Sequence, residues 1–263
     1  MDQALSGWRF RGLQAGAWVV LAFLFLPLLV VIPVSLSNQS YLSLPRHGLS
    51  LQHYDKVFGD PAWRASIGLT AALSAVSALI ATVLAGMAAI ACWRFRGPGA
   101  WALRALVMAP LVVPSIVSAL GFYQMWAKLG LLDTYAGVVI ANVVQTIPYA
   151  FTAVSASLLL LDPQLEKAAR NLGATQFGAI WTVVVPATRA GIFSGMLFAF
   201  VYAWDEVVVQ LFITSRGVRL LPRLIWEGLQ DTVDPAIAVI ASCLTVLTAV
   251  LILAMGWAQN RKK

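Results

Sequence analysis

Six long apolar segments constrain this chain of 263 residues more than any other feature of its sequence. They cover residues 15–36, 64–92, 103–126, 136–160, 189–213 and 235–258. Each is long enough to cross the hydrocarbon core of a bilayer, which takes about 20 residues of α-helix. The pattern predicts an all-α membrane protein with six transmembrane helices, organised as one transmembrane domain over residues 1–263 without internal repeats.

The composition favours lipid rather than water as the surrounding solvent. Apolar residues make up 60% of the chain and charged residues only 11%, whereas a soluble domain has roughly 25% charged residues. The net charge of +7 suggests lysines and arginines on cytoplasmic loops. No basic run interleaved with aromatic residues indicates a nucleic-acid surface, so binding to nucleic acid is not expected.

The basic residues also predict the orientation of the chain. If the N-terminus is cytoplasmic, 11 of the 18 lysines and arginines fall on the cytoplasmic side and 7 on the outer side. Arg9 and Arg11 precede an apolar run that continues to Pro33, which is too long for the hydrophobic region of a cleaved signal peptide. We therefore expect an uncleaved first span and two cytoplasmic termini.

The polar segment between the fourth and fifth spans, residues 161–188, is then also cytoplasmic. Asp162 and Pro163 favour a helix start, because an oxygen side chain suits the N-cap and proline suits the first helical position. Gly173 is placed to end this helix in a left-handed conformation. Thr175 can cap a second helix, so the segment predicts a helix, a turn and another helix.

One face of the first of these helices is apolar, through Leu165, Ala168, Ala169 and Leu172. Small alanines beside a glycine corner would let the helix dock closely into a groove of another protein. Alternatively, the helix rests among lipid headgroups. The pattern by itself favours neither interpretation.

A family resemblance favours docking. The segment resembles the EAA loop of ABC-importer permeases, with the family positions at Glu166, Ala168, Ala169, Gly173 and Pro186. The family has a contiguous Glu-Ala-Ala, whereas the contiguous triplet here is Lys-Ala-Ala and the glutamate precedes it. The stretches WRFRGPG, MAPLVVPSIVSALG, AWDEVVVQLFIT and LLPRLIWEGLQDTVDPAIAVIAS are also similar to the family, most closely to the second permease of spermidine/putrescine importers.

The resemblance implies the fold of a type I ABC-importer permease, with a cytoplasmic coupling helix between spans 4 and 5. In that family the coupling helix docks into an ATPase subunit, which implies docking residues Glu166, Ala168, Ala169, Asn171, Leu172, Gly173 and Ala174. The implied partners are a second permease subunit that completes a heterodimer, two copies of the nucleotide-binding ATPase subunit, an extracytoplasmic solute-binding protein and membrane lipid. The implied location is a bacterial inner membrane.

The activity implied by the resemblance is ATP-driven import of a small cationic solute, a polyamine such as spermidine or putrescine. An opine, an amino-acid derivative or another small solute is the alternative within the same class. Inverted repeats and a cytoplasmic loop without a docking helix would instead favour a stand-alone secondary transporter or channel. ATP and magnesium would be bound by the partner ATPase, so no cofactor is expected in this chain.

Two adjacent acids, Asp205 and Glu206, lie within the fifth predicted span. A carboxylate at membrane depth costs at least ~2.5 kcal/mol on insertion scales and usually faces a pathway or a partner. Adjacent residues on a helix point about 100° apart, so both can hardly face the centre of one pathway. One acid would contact a cationic solute; alternatively, either one bonds a neighbouring helix or an arginine of the second permease.

Aromatic residues near these acids complete the predicted substrate path: Tyr202 and Trp204 in the fifth span and Tyr123 at the end of the third. Aromatic faces bind ammonium groups well. Tyrosine and tryptophan also mark the interfaces of a bilayer, and this alternative stays open for each of them.

Motifs for catalysis and metal binding are missing from the sequence. It contains no glycine-rich phosphate loop followed by Lys-Ser/Thr, no His-Glu-x-x-His and no credible Ser, His and acid set. Cys92 and Cys243 form no metal-type spacing. We therefore expect a non-catalytic subunit without a metal site.

Overall fold

The structure is a computed structural model that describes residues 7–46, 48–95, 97–231, 234–246 and 249. These residues are predominantly helical, as the sequence predicts, and their only β-type pairing is an isolated bridge between Ser37 and Leu49. The helices in chain order are α1 (Gly7–Ser35), α2 (Gln52–Gly59), α3 (Pro61–Arg94), α4 (Pro98–Val112), α5 (Ser115–Leu129), α6 (Tyr135–Leu159), α7 (Pro163–Asn171), α8 (Gln176–Ala179), α9 (Val185–Ala187), α10 (Arg189–Asp205), α11 (Val208–Ile213), α12 (Leu221–Asp231) and α13 (Ala236–Val246). A π-helix, Ile180–Val184, joins α8 to α9.

The chain forms two compact units. One contains the described residues of 1–64 and 225–263, and the other contains the described residues of 65–224. In the first unit the Lys56 ammonium lies 2.6 Å from Asp234 Oδ2, while the other carboxylate oxygen of Asp234 accepts the Ala236 N–H at the start of α13. The organisation of residues 1–263 as one transmembrane domain stays a prediction.

Among the described residues, three helices are long and apolar enough to cross a membrane: α1, α3 and α6. They correspond to the first, second and fourth predicted spans. Two bent helix pairs raise the number to five if each pair counts as one span. The count of six is not confirmed, because the sixth predicted span, 235–258, lies only partly within the described residues.

The third predicted span, 103–126, is broken. Helix α4 ends at Val112 and α5 begins at Ser115, with a bend of 102° between them. Pro114 causes the break, because it has no N–H to donate and its ring disfavours a helical conformation of the preceding residue. Val113 is accordingly extended, with φ −82° and ψ 123°.

The core of the second unit includes the crossing of α6 and α10. Gly191 and Gly195 of α10 face α6 so closely that a Cβ on Gly191 would lie 2.1 Å from Ser157 Oγ. A Cβ on Gly195 would lie 3.0 Å from the Ala150 carbonyl oxygen. Small residues allow this approach, which provides the dispersion contacts that hold helices together where lipid replaces water. Helices α6 and α10 flank the polar segment of residues 161–188.

Candidate functional site: a polar helix and a membrane acid pair

Helix α7 begins and ends at the predicted residues. The Asp162 side chain accepts the Gln164 N–H at 2.9 Å, and Pro163 occupies the first helical position. Gly173 has φ +96°, in the left-handed region that favours glycine. The Ala174 N–H reaches back to the Ala169 carbonyl at 3.1 Å and closes the helix end.

The second helix of the segment is less regular than the sequence predicts. Thr175 caps α8 by accepting the Gly178 N–H at 3.0 Å, but α8 changes into the π-helix after one turn. Helical structure then continues into α9, which contains Pro186, and the chain bends by 72° between α9 and α10. Because Pro186 has no N–H, the regular i to i−4 pairing cannot hold at this position, and the Val185 N–H bonds the Ile180 carbonyl five residues back.

Glu166, the acid of the predicted docking set, turns toward the interior of its own unit. Its Oε1 accepts a hydrogen bond of 2.6 Å from Arg94 Nη2, at the end of α3. The two side chains are only 13% (Arg94) and 9% (Glu166) exposed. Sequence reasoning missed Arg94 as a partner, because a basic residue at the end of a span predicts orientation but not which acid it will meet.

The opposite side of α7 is open. Ala168 and Asn171 are exposed, and Leu172 is 90% exposed. Ala169 and Ala174 are partly buried. Leu172 thus adds one large exposed apolar side chain to a surface of small and polar residues. Of the seven predicted docking residues, four are thus exposed (Ala168, Asn171, Leu172 and Gly173), two are partly buried, and Glu166 is buried against Arg94.

The acid pair lies at a second helix break, inside the fifth predicted span, 189–213. Helix α10 ends at Asp205, and α11 begins two residues beyond Glu206. Glu206 has an extended backbone, with φ −71° and ψ 106°. Its side chain is buried, and Oε1 accepts the Val209 N–H at 3.0 Å. This bond satisfies a first-turn N–H of α11 that has no partner within the helix.

The two acids therefore differ in their surroundings. Asp205 is exposed on the surface of the unit, whereas Glu206 is 7% exposed. The Tyr202 hydroxyl, one turn before Glu206 along α10, interacts with the Glu206 carboxylate and with the Ser115 side chain at the start of α5. Both helix breaks thus contribute to one polar cluster.

An aromatic pair borders this cluster. The rings of Tyr202 and Tyr149 are 4.7 Å apart between centroids, at an angle of 32°. Trp204 instead packs against Phe200 at 5.9 Å. Tyr123 of α5 is half exposed and has no ring contact with the pair among the described residues. Tyr149 is a residue that sequence reasoning missed, although its position directly after a proline in a span could have drawn attention to it.

A buried amide pair lies one turn beyond Glu206. Gln210 is 1% exposed, and its Nε2 donates to Asn142 Oδ1 at 2.7 Å. Its Oε1 has no hydrogen-bond partner among the described residues. Across the described part of the chain, no group of three or more His, Cys, Asp or Glu side chains is arranged to hold a metal ion.

A hydrogen-bonded loop precedes α12. Asp133 accepts the backbone N–H groups of Ser215, Gly217 and Val218 at 2.7, 2.8 and 2.9 Å. Partial burial raises the pKa of the Asp133 carboxyl, but these three bonds and the charge of Arg223 outweigh it and hold the pKa below its ordinary value. The carboxylate therefore fixes the loop to the turn before α6.

Comparisons with known proteins agree with this architecture. The sequence profile of the family described as "Binding-protein-dependent transport system inner membrane component" matches residues 81–262. The spermidine/putrescine permease protein PotC of Haemophilus influenzae is 25% identical over 244 residues, which cover 93% of this chain and 95% of that protein. The putrescine permease protein PotI of Escherichia coli K12 is 29% identical over 250 residues, which cover 90% of this chain and 85% of that protein. The trehalose permease protein SugB of Mycobacterium tuberculosis is 26% identical over 200 residues, which cover 75% of this chain and 73% of that protein.

Two kinds of solved structure share the fold. A chain of a bacterial alginate ABC transporter, in complex with its pentasaccharide-bound periplasmic protein, matches with a TM-score of 0.70 at 15% identity, over 97% of this chain and 94% of that chain. A chain of an amino acid ABC transporter with histidines matches with a TM-score of 0.58 at 17% identity, over 80% and 98%.

Proposed function

We propose that this chain, which belongs to the family of binding-protein-dependent transport system inner membrane components, forms half of the translocation pathway for a small cationic solute in an ATP-driven importer. A member of this family is a non-catalytic, multi-pass membrane component, and the family is not known to bind cofactors. In the proposed assembly a second permease completes the pathway, two ATPase subunits supply ATP hydrolysis, and a solute-binding protein delivers the solute. Both termini and residues 161–188 lie on the cytoplasmic side.

The observation that carries the substrate proposal is the exposed carboxylate of Asp205 at a helix break inside the fifth predicted span. A charge at this depth needs a polar environment, and the interface with the second permease would provide one. Asp205 therefore faces the pathway, where its charge attracts an ammonium group. The permeases named for spermidine and putrescine support a polyamine, since these solutes carry several ammonium groups.

Glu206 has a positioning role in this proposal. Its carboxylate holds the first turn of α11 through Val209 and meets the Tyr202 hydroxyl. These bonds leave it less available to a solute than Asp205. The stacked rings of Tyr202 and Tyr149 border the same place and offer aromatic faces to an ammonium group. Trp204 and Tyr123 stand farther from this pair and belong to the path as secondary contacts.

In this proposal the polar segment of residues 161–188 transmits the motion of the ATPase subunits to the pathway. ATP binding closes the ATPase pair, which moves α7 through contacts at Ala168, Ala169, Asn171, Leu172 and the turn after them. Helices α6 and α10 flank this segment and pack through glycines, so they move together. Their motion reaches Tyr149 on α6 and Tyr202 on α10, where it changes the access of the pathway.

The test is uptake by the reconstituted importer with its binding protein. Asp205→Asn removes the charge at nearly constant volume and should lower uptake of a polyamine at least tenfold. Glu206→Gln keeps an acceptor for the Val209 N–H and should retain most of the uptake. Normal uptake by Asp205→Asn would refute the assignment of Asp205 to the pathway.

A solute panel tests the substrate class. Spermidine, putrescine, an amino-acid derivative and trehalose should each be offered with the cognate binding protein while ATP hydrolysis is measured. The proposal predicts stimulation by the polyamines. The relative named for trehalose favours one second candidate, a neutral solute. Stimulation by trehalose alone would establish that candidate and would leave Asp205 without a substrate role.

A further inference from the structure

A cleft of about 460 Å³ lies between the end of α3 and the start of α7. Its charged lining residues are Arg94, Glu166, Lys167 and Arg170. Arg94 and Glu166 pair with each other at 2.6 Å and cancel in charge. Lys167 and Arg170 remain, so the described lining has a net charge of +2.

The same two cations face a second cleft along α7. Lys167 and Arg170 also line it, together with uncharged residues that include Gln164, Asn171 and Gln176. Both side chains are exposed, and neither has an ion-pair partner within 4.0 Å among the described residues. The position directly before the two alanines, Lys167, therefore presents a cation.

The shape of α7 favours a protein partner over lipid headgroups. Helices that lie in the headgroup region insert bulky apolar side chains such as Trp, Phe and Leu along one face. Within α7 only one bulky apolar side chain, that of Leu165, is exposed, and the other exposed residues include Ala168 and Asn171, which are too small or too polar to anchor in lipid. A small outward residue instead lets the backbone of a partner's groove approach closely, and Leu172 offers one large apolar side chain at the helix end.

We infer that the groove of the ATPase subunit that receives α7 carries carboxylates opposite Lys167 and Arg170. This inference rests on the docking proposed above and adds the chemistry of the partner's surface. Guanidinium and ammonium groups form charge-assisted hydrogen bonds with carboxylates, and Arg170 can do so with two parallel bonds. The ion pair between Arg94 and Glu166 contributes by keeping this chain's own acid away from the two cations.

The test measures binding of the ATPase subunit to the permease pair in lipid nanodiscs. The double variant Lys167→Glu, Arg170→Glu should weaken binding at least tenfold and remove most of its salt dependence. Lys128→Glu reverses another exposed cation, at the end of α5, and should leave binding unchanged. Unchanged binding by the double variant would overturn the inference.

Two further arms identify the source of any effect. In nanodiscs of purely zwitterionic lipid, the double variant should lose as much ATPase binding as in anionic nanodiscs. A loss of binding confined to anionic nanodiscs would show that lipid phosphates contact the two cations and would overturn the inference. Leu172→Asp tests docking separately. If Leu172→Asp releases the ATPase and the double variant does not, docking stands and the acidic groove is wrong. If neither variant weakens binding, the proposed docking itself fails.

Discussion

Replacement of Glu166 by glutamine should loosen α7, because it removes the charge that holds Arg94. Two unit charges 2.6 Å apart attract by about 6 kcal/mol at an effective dielectric constant of ~20. Desolvation of both groups offsets much of this gross value. Removal of one partner from a buried pair nevertheless costs about 3–5 kcal/mol, because the other charge is left uncompensated. The adjoining cleft can admit water to Arg94, so we expect the lower end, about 3 kcal/mol.

Hydrogen exchange of the backbone amides of α7 measures this loss directly. If α7 opens independently of the rest of the unit, about 3 kcal/mol corresponds to exchange that is faster by roughly two orders of magnitude. The importer should also hydrolyse ATP without matching solute uptake, since a loosened α7 transmits less motion. In the permease pair without the ATPase, Lys167→Gln is the matched control on the same helix and should leave the exchange rates of α7 unchanged.

A charge exchange separates the ion pair from other effects of the substitution. The double variant Arg94→Glu, Glu166→Arg swaps the two charges. Hydrogen exchange of the α7 amides should then slow again, through a substantial part of the difference between Glu166→Gln and the parent protein. Glu166→Gln with the exchange rates of the parent protein would refute the reasoning, because the pair would then contribute nothing to the position of α7. The reasoning would also be contradicted if the α7 amides exchanged faster in the double variant than in either single variant, Arg94→Glu or Glu166→Arg.

Two more predictions concern packing and pH. Gly195→Leu should lower the thermal midpoint of the permease and its solute uptake, because overpacking costs about 1–3 kcal/mol and the first added atom already lies 3.0 Å from the Ala150 carbonyl oxygen. Gly86→Leu, at a position with open space, is the control. An equal loss in both variants would contradict the argument. The bonds of Asp133 to residues 215–218 should be complete at neutral pH and should weaken as the pH falls below about 3.9, because the pKa is lower in the folded state than in the unfolded chain. The protection of those amides, which is the intrinsic exchange rate divided by the observed one, should therefore fall in acid in the parent protein, whereas Asp133→Asn should show low protection at every pH. Protection that does not change with pH in the parent would contradict this.

Local signals in the sequence predicted the polar segment well. Asp162 and Pro163 start α7, and Gly173 takes the left-handed conformation that ends it. Such signals depend only on neighbours in the chain, so they can be read without the fold. The apolar spans α1, α3 and α6 were predictable for the same reason, because length and composition alone qualify a helix to cross a membrane.

The helix breaks were harder to predict because they depend on competition between local and tertiary contacts. Proline is tolerated inside many membrane helices, and here Pro110 and Pro148 lie inside helices while Pro114 ends one. The break at Glu206 has no proline. It persists because the side chain supplies the acceptor that the backbone of α11 lacks.

The long-range partners were outside the reach of sequence reasoning. Arg94 and Glu166 are 72 residues apart, and Asp133 meets backbone groups 82 to 85 residues away. Only the fold brings such groups together. As a result, the sequence could not show that Glu166 pairs with Arg94. It also left open whether Asp205 or Glu206 is the pathway acid, and the choice of Asp205 is a proposal.

The most direct test of the central claim, that this chain is an importer permease moved by an ATPase through α7, is a crosslink at Leu172. A photoreactive residue at this 90% exposed position should crosslink to the ATPase subunit in native membranes, and the yield should change when ATP is bound. The same probe at Leu129, an exposed leucine at the end of α5, is the control and should give no ATPase crosslink. A probe at Leu172 that crosslinks only to lipid would contradict the account.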